Sequence, residues 1–246
     1  LKLLMNRKRA IAIILAGGRG TRMKTQLPKP INLVNDKEII SWIIDAFTEN
    51  KVDVGVVINP NDKNYFQKYS NKVTFIYQNE PKGTGHAVIK SKKIINDYDY
   101  TYVFMGDNPF VGSEIIKNML DNHLRTNSDC TLLSSFFEQK KFPYARIIRE
   151  NGLITKFVEE IDANESELKV NELFCSQYLF KTDILMQFLK FLKPHDIKNE
   201  IYFTDILNHM ILKNKKINSL IVDDWKRLIG LNTKEEISWI ESQKII

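Results

Sequence analysis

The run Ala10-Ile11-Ala12-Ile13-Ile14-Leu15 breaks directly into Ala16-Gly17-Gly18-Arg19-Gly20-Thr21-Arg22-Met23, and this junction constrains the chain more than any other stretch. A segment apolar at every position reads as a strand covered on both faces, and such strands belong to parallel sheets flanked by helices. The glycines that follow free the backbone from the limits of a side chain, so amides at the strand end can turn toward an anion. Arg22 and, after Leu27-Pro28, Lys29 add fixed positive charge, and Pro28 and Pro30 stiffen the approach of Lys29. The pattern suits a triphosphate whose charge grows as a phosphoryl bond breaks.

Two other phosphate loops begin in the same way, and the residues that follow exclude both. A dinucleotide fingerprint needs a third glycine where Met23 stands and an acid at the end of the second strand, whereas Glu38 opens an apparent helix. A Walker A loop needs Gly-Lys-Ser/Thr, and Met23-Lys24-Thr25 lacks the glycine.

With 246 residues, 43% hydrophobic and 27% charged, and no linker or low-complexity block, the chain is expected to form one domain. The Ala10 to Ala16 run is too short to span a membrane and too far from a cleavage site to be a secretion signal. No membrane partner is therefore expected, and the cytoplasm is the expected compartment. The net charge of +6 is scattered apart from Arg7-Lys8-Arg9, which argues for a solvated basic surface and against a nucleic-acid partner. Cys130 and Cys175 each sit in apolar, strand-like contexts and predict buried free thiols.

Beyond the loop, Ile39, Ile40, Ile43, Ile44 and Phe47 recur at helical spacing. Residues 52–58, 73–77 and 101–105 are β-branched or aromatic runs, with a helix predicted over 87–95. This alternation predicts an α/β fold with a doubly wound, mostly parallel Rossmann-like sheet. The second half differs: Asn151-Gly152, between 146–149 and 153–158, is a hairpin signal that opens an antiparallel insertion. A strand over 173–180, helices over 183–192 and 204–212, a strand over 217–222 and a final helix over 234–243, capped by Thr233, complete the reading.

Ligands of open α/β sheets lie at the carboxyl ends of strands. Three predicted ends carry suitable groups: the glycine loop after Leu15, the segment Gln78 to Ala87, and Asp107 after Met105. The Gln78 amide can read a base edge, Gly83 and Gly85 permit close backbone approach, and Thr84 can cap a helix and contact a ligand. His86 reads as a packed or capping residue, with no acid nearby in sequence to orient it as a base. Asp107 is a hard oxygen ligand of the kind Mg²⁺ takes when it also binds phosphate.

Taken together, Leu15 to Met23, Leu27-Pro28-Lys29, Gln78 with Gly83 to Ala87, and Gly106 to Pro109 resemble, in order and spacing, the sugar-1-phosphate nucleotidyltransferases. The nearest likeness is to the uridyltransferase (pyrophosphorylase) domain of the bacterial N-acetylglucosamine-1-phosphate uridyltransferases, over residues 10 to 232. The resemblance implies the nucleotide-diphospho-sugar transferase type of fold, with a sugar-binding insertion, residues 10–232 as core and 233–246 as a C-terminal helix. It implies nucleotide binding by Leu15, Ala16, Gly17, Gly18, Gly20, Thr21, Gln78, Gly83 and Thr84, and catalysis by Arg22, Lys29 and Asp107. It assigns Mg²⁺ to Asp107 and Asn232, the latter through Gly230-Leu231-Asn232. The implied substrates are a nucleoside triphosphate, with UTP expected, and N-acetylglucosamine 1-phosphate or a related hexose 1-phosphate, whose oxygen attacks the α-phosphorus so that pyrophosphate leaves. No protein nucleophile is then required, and positioning with charge neutralisation supplies most of the catalysis.

The sugar side departs from that pattern. The family's Tyr-Gly-Arg is matched by Tyr144-Ala145-Arg146 and its Val-Glu by Val158-Glu159, but its Asn-Thr-Gly or Asn-Ser-Gly falls on Phe174-Cys175-Ser176. Ala145, Glu159 and Phe174 are the sugar-side residues so implied. Loss of the Asn removes a hydrogen bond of roughly 0.5–1.5 kcal/mol and changes what the pocket accepts. CTP or another triphosphate with a different phosphorylated acceptor is the alternative, and a nucleotide-binding regulatory module without turnover is another. The chain reaches Ile246 with no counterpart of the acetyltransferase domain of the bifunctional enzymes, so no activity tied to that domain is expected.

Overall fold

The computed structural model describes residues 9–18, 20–23, 25–137, 142–195 and 199–245, with the side chain of Thr21 excepted. Arg7, Lys8 and Arg19 of the sequence reading lie outside them. The elements run β1 (Ala10–Leu15), β2 (Leu33–Val34), β3 (Lys37–Glu38), α1 (Ile39–Glu49), β4 (Asp53–Ile58), α2 (Lys63–Phe66), β5 (Thr74–Tyr77), α3 (Gly83–Lys90), α4 (Lys92–Ile95), β6 (Tyr100–Met105), α5 (Gly112–Thr126) and β7 (Cys130–Phe136). They continue through β8 (Ala145–Glu150), β9 (Leu153–Val158), β10 (Glu172–Lys181), α6 (Thr182–Phe188), α7 (Asp205–Leu212), β11 (Ile217–Ile221) and α8 (Lys234–Ser242).

Among the described residues, one sheet runs in the order β11-β7-β10-β6-β1-β4-β5, and β8 and β9 extend it from β10. All neighbours along that path are parallel except β10, which runs antiparallel to both β6 and β7. The sheet divides the core in two, as the alternation of strand side chains requires. Ala12 and Ile14 of β1 face the layer holding α1, α5 and α8, whereas Ile11 and Ile13 face the layer holding α3, α6 and α7. In the first layer Phe47 meets Phe104 edge-on at 4.9 Å and Tyr102 at 5.1 Å, contacts worth about 0.5–1.5 kcal/mol each beyond the area they cover.

The doubly wound parallel sheet and antiparallel insertion match the sequence expectation. Asn151 and Gly152 take φ of 51° and 80°, the positive values that a two-residue hairpin demands. The helix predicted over 87–95 differs: it begins at Gly83 and breaks at Ser91, whose hydroxyl donates back to Ala87 O at 3.2 Å. Tertiary contact overrides glycine's poor helix propensity here, because Ile201 packs too closely for a Cβ at either glycine, through its backbone at Gly83 and its side-chain methyl at Gly85. Cys130 and Cys175 are buried free thiols, and burial pushes both well above the ordinary thiol range. Among the described residues no helix is long and apolar enough to cross a membrane.

Candidate active site

β1 and β6 pair in register from Ala10 with Tyr100 to Leu15 with Met105, so their loops leave the sheet at one level. Gly106 makes that approach possible. Its N–H donates to Leu15 O at 2.9 Å, and a Cβ there would fall 2.9 Å from that oxygen and 3.2 Å from Ala16 Cα. Gly20, at φ +56°, passes over Lys29 so closely that a Cβ would lie 2.7 Å from the lysine Cβ. Gly18 faces open space. The result is a cleft of ≈ 640 Å³ with Leu15, Ala16, Gly17 and Gly18 on one wall, Gln78, Gly83 and Thr84 on another, and Lys29, Gly106 and Asp107 among its other lining groups.

Charge gathers at one end of this cleft. Lys29 Nζ donates to Asp107 Oδ2 and, at 3.0 Å, to Asn232 Oδ1, which also accepts from Arg22 Nη2 at 2.9 Å. The Asn232 amide is fixed by its own Nδ2 donating to Gly230 O at 3.1 Å, which leaves Oδ1 for the cations. Asp107 O accepts from Leu231 N at 2.9 Å, joining the two segments through the backbone. Behind them, buried Asn108 and Gln177 both donate to Leu228 O, at 2.8 and 3.0 Å, and the hydroxyl of half-buried Tyr144 accepts from Gly230 N at 2.9 Å. Four side chains separated by up to 210 positions thus meet as two cations and two oxygen donors.

One carboxylate and one amide oxygen are hard donors that fit Mg²⁺ provided phosphate and water complete its shell. Among the described residues no group of three or more His, Cys, Asp or Glu forms a cage for a metal. The donor set therefore suits a cation that arrives with phosphate.

At the other end, buried Gln78 donates through Nε2 to Gly83 O at 3.1 Å and lies 3.1 Å from His86 Nδ1. Gly83 takes φ +89°, and a Cβ there would come within 2.5 Å of Ile201 O. Thr84 does not cap α3 as the sequence predicts: its hydroxyl accepts from Phe203 N at 3.0 Å, and the helix starts without a side-chain cap. Tertiary docking of the 201–203 segment has taken the hydroxyl that a local cap would use.

Residues 11–239 match the nucleotidyl transferase family. The chain belongs to that family. It is 34% identical over 234 residues to the bifunctional protein GlmU of Clostridium perfringens strain SM101, covering 94% of this chain and 51% of that one. It is 35% identical over the same length to GlmU of Clostridium botulinum strain Loch Maree, and 31% identical over 239 residues to GlmU of Buchnera aphidicola. The chain thus spans about half the length of the curated relatives it matches. Its fold matches that of a Bacillus anthracis protein assigned as a glucose-1-phosphate thymidylyltransferase, with a TM-score of 0.78, 18% identity, and coverage of 95% of this chain and 94% of that one.

In this nucleotidyltransferase the three residues expected on the sugar side, Ala145, Glu159 and Phe174, are not among the residues lining the cleft. Ala145 and Phe174 are paired across β8 and β10, and both are buried. Phe174 is 1% exposed and packs edge-on against Tyr178 at 5.0 Å and Phe157 at 5.9 Å, so its ring belongs to the core and leaves almost no surface to a ligand. The same strand carries Ser176 at φ +64°, where the resemblance places a glycine, and the pairing with β7 shifts between Phe174 and Tyr178. Glu159 is open to solvent yet set among protein atoms. Burial first, then Asp162 and Asp205, raise its carboxyl above the ordinary range against the opposing effects of Thr204 and Arg146.

Two features around the site escape sequence reading: Glu200, a lining residue with no local signature, and the contact of the Tyr144 hydroxyl with Gly230, which its place in the Tyr144-Ala145-Arg146 match does not announce. Glu236 has a local signature: Thr233-Lys234-Glu235-Glu236 is a capping-box pattern. Thr233 accepts from Glu236 N at 3.1 Å, and Glu236 Oε2 reaches back to Asn232 N at 2.6 Å.

Proposed function

We propose that this chain transfers a nucleotidyl group from UTP to N-acetylglucosamine 1-phosphate or a related hexose 1-phosphate, with Mg²⁺, releasing pyrophosphate. The observation that carries the reading is the meeting of Lys29, Arg22, Asp107 and Asn232 beside the glycine loop. The amides and small residues from Leu15 to Thr21 would hold the nucleotide, with Gln78, Gly83 and Thr84 on the base side. Arg22 and Lys29 would neutralise charge on the triphosphate as it shifts toward the leaving group. Mg²⁺, held by Asp107 and Asn232, would supply a Lewis acid for phosphate oxygens.

The acceptor phosphate is already anionic, so no general base is needed to form its bond to the α-phosphorus while the bond to the β-phosphate bridge breaks. Catalysis then rests on orientation, which the converging strand ends favour. Glu159, exposed directly after β9, would contact sugar hydroxyls. We place the reaction in the cytoplasm, where nucleoside triphosphates are abundant, and take the chain as one nucleotidyltransferase domain.

The test is Mg²⁺-dependent pyrophosphate release from UTP with N-acetylglucosamine 1-phosphate, beside other triphosphates and phosphorylated acceptors. Release with that pair, abolished in Asp107→Ala while the variant stays folded, supports the reading. Release only with CTP or another acceptor redefines the substrates. Nucleotide binding without release from any pair makes the chain a regulatory module.

A further inference from the structure

Gln78 is the buried amide on the base side of the cleft, and an amide can present either an acceptor or a donor to a base edge. Two neighbours remove that choice. The atom 3.1 Å from Gly83 O must be nitrogen, because a carbonyl oxygen only accepts. The same nitrogen lies 3.1 Å from His86 Nδ1, and its second hydrogen can be received there only if Nδ1 carries a lone pair. Both amide hydrogens are then used, and Oε1 is left on the Gly17 side, 3.1 Å from where a Cβ of that residue would stand. Gly17 and Gln78 both line the cleft, and no described residue donates to this oxygen.

Burial, and then the Lys90 ammonium with Lys82 behind it, hold the His86 imidazole below its ordinary value, opposed by a backbone hydrogen bond to Glu80 and by the Glu80 carboxylate. A neutral ring keeps a lone pair on one nitrogen, and the Gln78 contact selects the tautomer that leaves it on Nδ1.

We propose that His86 is a positioning residue for base selection. By receiving Gln78 Nε2–H it locks the amide with its acceptor toward the nucleotide, which favours a base with an imide N–H, uracil or thymine, over cytosine, whose N3 is itself an acceptor. This rests on the cleft being a nucleoside triphosphate site, but does not require that the site turn over.

Equilibrium titration of UTP, dTTP and CTP, without an acceptor, tests it in the wild type, His86→Leu and His86→Asn. Leu keeps bulk and loses the acceptor, whereas Asn Oδ1 can take the place of Nδ1. The expected result is tighter binding of UTP and dTTP than CTP, a fall of about tenfold or more in that preference in His86→Leu, and recovery in His86→Asn. An equal loss for all three triphosphates, or a wild type that prefers CTP, overturns the proposal. Nitrogen-15 resonances of the wild-type imidazole give a second measurement independent of any variant. A bare Nδ1 supports the lock, and a protonated Nδ1 overturns it. Preference for UTP without pyrophosphate release would defeat the catalytic reading alone, whereas failure to bind any triphosphate would defeat both.

Discussion

Gly230 stands so close to Asp107 that a Cβ at position 230 would lie 3.0 Å from Oδ1 and 3.1 Å from Cγ. The absent side chain is what lets the carboxylate reach Lys29 beside Asn232. Gly230→Ala should therefore displace Asp107 while leaving the fold intact. A displacement on the scale of an ångström lowers turnover by on the order of 10²-fold. Steady-state pyrophosphate release, with thermal melting as control, checks this. An unchanged rate would mean that the carboxylate position is not critical.

Glu159 carries its charge at a cost. Burial, Asp162 and Asp205 disfavour the ionised form in the folded chain, so the carboxylate opposes folding near neutral pH. Glu159→Gln should raise the melting temperature at pH 7 and raise KM for the sugar phosphate, with KM for the triphosphate little changed. A melting temperature that falls would contradict the electrostatic assignment, and equal effects on both KM values would contradict the sugar-side role.

Arg149 clamps Glu172 through Nε to Oε2 at 2.6 Å and Nη2 to Oε1 at 2.7 Å, tying β8 to β10, while Ser134 donates to Oε1 at 2.9 Å. Burial alone would raise the Glu172 carboxyl, but these partners outweigh it and hold the group below its ordinary value of 4.5. A depressed acid contributes stability that is fully present above its unfolded pKa and lost as pH falls through the lower folded value. Arg149→Met strands the buried carboxylate and should cost about 3 kcal/mol at pH 7, toward the lower end of such losses because Arg149 is partly exposed. Without its partner Glu172 titrates above its ordinary value, so protonation now favours the folded form. The variant's deficit should shrink as pH falls from 7 toward 4, as denaturant unfolding at several pH values can show.

Ser176 takes φ +64° in β10, a conformation that strains any residue with a Cβ. Ser176→Gly should stabilise the chain by about 0.5–1 kcal/mol, the relief of strain exceeding the added entropy of the unfolded glycine. Chemical denaturation measures it, and a loss of stability would show that a contact of the hydroxyl matters more than the backbone angle.

The parallel half of the fold is legible because its strands are buried on both faces, so β1 and α1 announce themselves without reference to anything distant. The start of α3 at Gly83 is not legible, since Ile201, far along the chain, packs on its first turn. Within the site, Lys29 and Asp107 stand out locally, each beside glycine or proline. That they touch each other, and that Arg22 meets Asn232, depends on the strand order. Phe174 shows the limit from the other side: position in a motif suggests a pocket wall, whereas the alternation of β10 turns its ring toward Phe157 and Tyr178.

Asn232 sits at the threshold of α8, with its own N–H held by Glu236 and its neighbour Thr233 closing the first helical turn. Trp239, one turn further on, stacks on Trp225 at 5.9 Å and pins that helix to the body. The final helix therefore acts as a brace: were its first turn to fray, Asn232 would lose the Glu236 hold on its N–H and keep only the Gly230 hold on its amide. Order at the periphery would thus be felt at the charged end of the cleft. Substitutions on that helix, remote from every substrate, would register first as loss of catalytic fidelity and only later as loss of fold.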